Sequence, residues 1–155
     1  MNDKTSILQL LTPKAVLKAI TPEANACAPR GQLRHGFIQI NQFPFSVGRE
    51  SRIKNSDGKL TRIERVKFTD HDPNNDLYLM DPERPMNISR EHFTIVKNSD
   101  GYALIDRNSA CGTAIGTNRI GGRDSGGQAK LKDGDIITVG GEDTPYRFKF
   151  ISLEN

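Results

Sequence analysis

Cys111 lies in the stretch DRNSACGTAIG, residues 106–116, with Asp106 five positions before it and His92 further upstream. A thiol, an imidazole and a carboxylate are the parts of a nucleophilic site, in which the base takes the thiol proton and the acid orients the base. The same side chains can ligate a metal. A glycine-rich turn can also hold a bound group through its backbone alone.

The surrounding sequence separates these uses. A cysteine between Ala110 and Gly112 in a β-type turn usually fills space, and nothing in the linear order brings His92 to it. Cysteine-dependent catalysis is therefore the remotest of the three. For metal, His35, His71, His92, Cys27 and Cys111 show no zinc spacing. The run from Asp70 to Asp76 alternates oxygen donors like the start of a calcium loop. It carries Asn75 where the loop needs glycine and Asp81 where it needs the closing glutamate. Neither GxGxxG nor GxxxxGK[ST] is present. No metal and no cofactor are expected.

A chain of 155 residues is of the size of one domain with its own core. Its net charge of +3 permits an anionic partner without demanding nucleic acid. Two cysteines cannot make a disulfide scaffold. No run reaches the roughly 20 apolar residues of a membrane helix, and Pro13, Lys14 and Lys18 interrupt the apolar run that a signal peptide requires. A cytoplasmic protein without membrane association is expected. Charge concentrates at residues 49–67, where Arg49, Arg52, Lys54, Lys59, Arg62, Arg65 and Lys67 face only Glu50, Asp57 and Glu64. The aromatics that accompany nucleic-acid surfaces are nearly missing there, which argues against that partner.

These residues need elements to hold them. Residues 1–30 read as an N-terminal extension with one or two short helices. Thr12-Pro13 and Thr21-Pro22-Glu23 both resemble helix starts, threonine as cap and proline first in the helix. From Leu33 the period changes to two. Strands are expected at 38–40, 43–47, 76–80, 92–96, 102–105, 135–139 and 146–150, with turns at 98–101, 121–122, 133–134 and 140–141. Residues 121–128 read as a polar loop tip. The fold class is all-β, a sandwich over residues 31–155, with a basic hairpin inserted at about 50–68 and turning at Asn55–Gly58. The polar residues of interest then fall at loop positions: Gly48-Arg49, Asn87 to His92, and Asn108 to Thr113. Arginine beside a serine hydroxyl and free backbone N–H groups suits an oxyanion, phosphate above all.

In this order the motifs Gly48-Arg49, Asn75-Asp76-Leu77, Ser89-Arg90-Glu91-His92, Cys111-Gly112-Thr113 and Leu131-Lys132-Asp133-Gly134-Asp135 resemble the forkhead-associated (FHA) family, in its single-domain bacterial form. The resemblance spans roughly residues 33–152 and implies a β-sandwich of about eleven strands. It implies a module that binds a threonine-phosphorylated protein or peptide, the product of a Ser/Thr kinase, in signalling or complex assembly, and not an enzyme. By the same resemblance Arg49 pairs with the phosphate, and Ser89 donates its hydroxyl and a main-chain N–H to it. Arg90 adds a second cation, and Asn87 lies where a residue three beyond the phosphothreonine is read. Gly48, His92, Gly112 and Thr113 are structural.

Two departures stand out. Cys111 replaces the family's asparagine, which bonds the peptide backbone, and Ala110 replaces a residue that is often threonine. Asn108 or Ser109 is expected to compensate from the same turn. The departures leave a second expectation open, an FHA-like scaffold that binds without phosphate, as in a secretion apparatus. Thr12 and Thr21 add one more, a phosphorylated tail that occupies the site. The oligomeric state is left open.

Overall fold

The computed structural model describes residues 2–50, 53–57, 59–62, 74–83, 85–123 and 125–154. Arg52, Arg65, Lys67 and the Asp70–Asp72 run lie outside the described residues, as do the side chains of Lys54 and Arg62.

Two helices, α1 (Asp3–Leu11) and α2 (Pro22–Cys27), accompany fourteen strands among the described residues. One sheet contains β1 (Ala15–Ala19), β2 (Leu33–Arg34), β3 (Phe37–Ile40), β10 (Thr113–Ile115), β11 (Asn118–Ile120), β13 (Ile136–Val139) and β14 (Arg147–Ser152). Its order is β11-β10-β13-β14-β1-β3-β2, antiparallel throughout. The other contains β4 (Phe45–Arg49), β7 (Leu77–Leu79), β8 (Phe93–Asn98), β9 (Gly101–Asp106) and β12 (Gly127–Leu131), in the order β12-β9-β8-β4-β7. The β4–β7 pair is parallel and sets Arg49 beside Leu79. A separate pair, β5 (Ile53–Ser56) and β6 (Lys59–Arg62), forms the hairpin that follows Arg49.

The two inner faces meet in one core. Leu17, Ile38, Phe148 and Phe150 come from the first sheet, and Phe45, Val47, Phe93, Ile95 and Leu104 from the second. Each such side chain gains about 1.5–3 kcal/mol on burial. Alternation produces these faces: in Arg147-Phe148-Lys149-Phe150 the aromatics point in and the cations out.

Two expectations are corrected. The segment after Thr12-Pro13 is a strand, and Ala15, Val16 and Leu17 are all buried. β1 lies between β14 and β3, so the sandwich takes in residues before 31. The polar tip at 121–128 ends earlier than expected, because Gly127 already pairs with Asp106. Thr21-Pro22 does open a helix: the Thr21 Oγ1 accepts the Ala24 N–H at 3.2 Å, and Ala24 and Cys27 are buried. Burial pushes the Cys27 thiol well above its usual range, so it is an inert core group.

Candidate functional site

The ends of β4 and β9 and the segment before β8 meet at one pole of the sandwich. The Arg49 N–H donates to the Ser89 carbonyl at 3.0 Å, and Arg49 Nε donates to the Ile88 carbonyl at 2.8 Å. The Ser89 Oγ accepts the Ala110 N–H at 3.0 Å. Three stretches far apart in sequence are thereby joined through one serine. Arg90 is exposed, and its side chain makes no hydrogen bond or ion pair among the described residues. Asn87 is half-buried.

Gly48 sets how closely the 88–90 segment can lie on β4. A Cβ there would stand 2.1 Å from the Arg90 carbonyl oxygen and 2.6 Å from Asn75 Nδ2. Asn75 fixes that carbonyl from the other side, donating Nδ2 at 2.8 Å, while its Oδ1 accepts from Arg107 Nη1 at 2.7 Å. Arg107 is held in turn by Glu91 at 3.1 Å.

His92 is fully buried and joins two loops. Its Nδ1 accepts the Ser89 N–H at 3.0 Å, and its Nε2 lies 2.7 Å from the Gly112 carbonyl oxygen. That pairing requires the neutral ring with its proton on Nε2. Burial lowers the ring's basicity below the usual histidine value, against smaller opposing pulls from Gly112 and Asp106. The Ser89 N–H is thus spent on His92, which corrects its assignment to the ligand.

The turn itself hangs on Asp106. Its Oδ1 accepts the Ser109 N–H at 2.9 Å, and its Oδ2 accepts from the Ser109 Oγ at 2.6 Å and the Thr113 Oγ1 at 2.8 Å. The Ser109 Oγ also accepts the Gly112 N–H at 3.0 Å. Ser109 and Thr113 are 0% exposed. Ser109 therefore shapes the turn from inside and faces no ligand, contrary to expectation. Gly112 has φ +84, a conformation that disfavours any side chain. Asn108, at φ +59, is exposed and sets its Oδ1 against Gly126.

Cys111 is half-buried, with Sγ 3.8 Å from the Met86 carbonyl oxygen. Arg119 Nη2 clamps the Cys111 and Gly140 carbonyls at 2.9 and 2.7 Å. No catalytic triad is assembled: both nitrogens of His92 and both oxygens of Asp106 bond elsewhere. Among the described residues no three His, Cys, Asp or Glu side chains converge as a metal site.

Sequence reasoning missed Asp81, which stands fully buried behind the site. Its Oδ2 accepts the Asn87 and Ile88 N–H groups at 2.6 and 3.0 Å, and its Oδ1 accepts the Glu83 N–H and the Tyr146 hydroxyl. Burial and this carboxylate push the Tyr146 hydroxyl far above its usual range, so it stays a donor. An aspartate at the end of an apolar strand with proline next is a turn signal that could have exposed it.

Of the two N-terminal threonines, Thr12 stands away from this pole. It shares a cavity with Lys97, Leu153 and Glu154, at the far end of β8 from His92. The Thr21 hydroxyl bonds the Pro145 carbonyl. Thr21 is thereby committed to the Pro145 carbonyl and to capping α2, and does not occupy the site.

No curated protein matches the chain. Among solved structures, EmbR of Mycobacterium tuberculosis, in complex with a low-affinity phosphopeptide, is similar in fold with a TM-score of 0.52 and 21% identity. That match takes in 97% of this chain, which spans only 29% of the EmbR chain. The family model of the FHA domain matches residues 45–140, from the start of β4 to Gly140, and so includes Arg49, Ser89 and the turn from Asp106 to Thr113. The chain belongs to the FHA domain family.

Proposed function

We propose that the chain is a phosphothreonine-dependent binding module that couples a Ser/Thr kinase to signalling or complex assembly. One observation carries the reading: Ser89 sits between Arg49 and Ala110, bonded to both. Because the Ser89 Oγ accepts from Ala110, its own proton is left to donate to an anion. Arg49 supplies a permanent charge with the planar fork that matches phosphate, and exposed Arg90 adds a second. The partner is a threonine-phosphorylated protein or peptide. No catalytic role is assigned, since the groups around Cys111 are all committed to the scaffold.

The competing reading, a scaffold that binds without phosphate, draws on Ala110 and Cys111, which place neither hydroxyl nor amide at the tip of the turn. Titrating matched Thr, phosphothreonine and phosphoserine peptides against wild type and Arg49→Ala separates the two. The phosphothreonine reading expects binding only to phosphorylated peptides, lost at least about tenfold in the variant, as removal of charged hydrogen bonds requires. Equal binding of plain and phosphorylated peptides would leave the scaffold reading standing.

A further inference from the structure

The turn at residues 29–32 and the β5–β6 hairpin enclose a cavity of about 420 Å³. Arg30 and Lys59, both exposed, line it together with half-buried Leu60 and buried Met80. Among the described residues no carboxylate lines it. Neither the Arg30 nor the Lys59 side chain has a hydrogen-bond or ion-pair partner among them. Two uncompensated cations over an apolar base favour an anion there, more strongly than on an open surface.

The cavity is tied to the Arg49 pole by the same strand. Met80 directly follows Leu79, the β7 partner of Arg49, and the Glu50 N–H donates to the Leu79 carbonyl at 2.7 Å. The wall carrying Arg30 is stapled to β7 at both ends. The Met80 N–H donates to the Cys27 carbonyl at 2.8 Å, and Gln32 Nε2 donates to the Asp76 carbonyl at 3.1 Å. Lys59 stands on the hairpin that leaves Arg49 itself. An extended peptide advances about 3.3 Å per residue, so a segment held by its phosphothreonine carries its neighbours across this pole within a few positions.

We propose that this cavity is a second subsite of the peptide groove, which takes an aspartate or glutamate side chain of the same partner. The proposal rests on the phosphothreonine reading. Arg30 comes from outside the segment matched by the family model, and Lys59 from the hairpin after β4.

The test uses singly phosphorylated threonine peptides carrying Glu or Gln at each flanking position in turn. Affinities are read by fluorescence anisotropy for wild type and for Arg30→Gln, Lys59→Gln and the double variant. At one or two positions wild type is expected to prefer Glu by at least about threefold, in line with exposed charge pairs. The double variant loses that preference and keeps wild-type affinity for the Gln peptides. A Glu preference that survives the double variant, or an equal loss for Glu and Gln peptides, overturns the subsite. Phosphate-dependent binding with no Glu preference at any position overturns it alone. If wild type does not distinguish phosphothreonine from threonine, both readings fall.

Discussion

The Ser89 N–H donates to His92 Nδ1 at 3.0 Å, and the opposite ring nitrogen is 2.7 Å from the Gly112 carbonyl oxygen. One buried imidazole therefore sets the spacing between the serine and the turn. Protonating Nδ1 would turn it from an acceptor into a donor facing another donor. Burial already holds the folded ring's basicity below the value of about 6.5 expected unfolded.

The sign of the pH effect follows. Below about pH 6.5 the unfolded chain takes up a proton that the folded chain refuses, so unfolding is favoured as pH falls. This contribution is complete above that pH and is lost progressively toward the lower folded value. Melting temperature is expected to drop between pH 7.5 and 5.5, with a shallower drop in His92→Gln, which starts less stable. Parallel pH profiles for the two proteins would show that the ring does not titrate as described.

Gly48→Ala tests the contact of β4 with the 88–90 segment. The added methyl would meet the Arg90 carbonyl at 2.1 Å, so the segment must shift. The expected cost is about 1–3 kcal/mol of stability. Phosphopeptide affinity should fall at least about tenfold, because positioning is lost with the contact. Chemical denaturation and calorimetry check the two numbers separately.

Ser109→Ala and Thr113→Val both withdraw a hydroxyl from Asp106 Oδ2. Each is expected to cost about 1–3 kcal/mol, as groups buried with a lost partner do. They share one carboxylate, so the double variant should depart from the sum of the singles. Strict additivity in a denaturation cycle would contradict the shared network.

Cys111→Asn returns an amide to the tip of the turn. If the groove grips the peptide backbone there, phosphothreonine affinity should rise about three- to tenfold, the worth of one or two hydrogen bonds. Plain threonine peptides should gain nothing measurable. A rise for both peptides would mean that the amide acts independently of phosphate.

Much of the sandwich could be read directly. The alternation in Arg147 to Phe150 and the threonine–proline start at Thr21 each follow from local physics. β1 could not, because Ala15, Val16 and Leu17 are all buried, and a strand covered on both faces carries no two-residue period. The site divides in the same way. Arg49 and Ser89 are marked by motif, but the roles within Asn108 to Thr113 depend on a buried carboxylate reaching back three to seven residues. Ser109 and Cys111 are equally plausible as ligand contacts in the sequence. Only Asp106 turns the first inward.

β1 and β14 pair along their length, and beyond them the Leu153 N–H donates to the Lys14 carbonyl at 2.9 Å. Glu154 bonds Lys97, near the end of β8 that points away from His92. Both strands that bound the sandwich thus leave it side by side, at the pole remote from Arg49. Such a domain can be spliced into another polypeptide, or circularly permuted by joining those ends, without a linker crossing the recognition face. The loops around Arg49 and Ser89 face away from that junction.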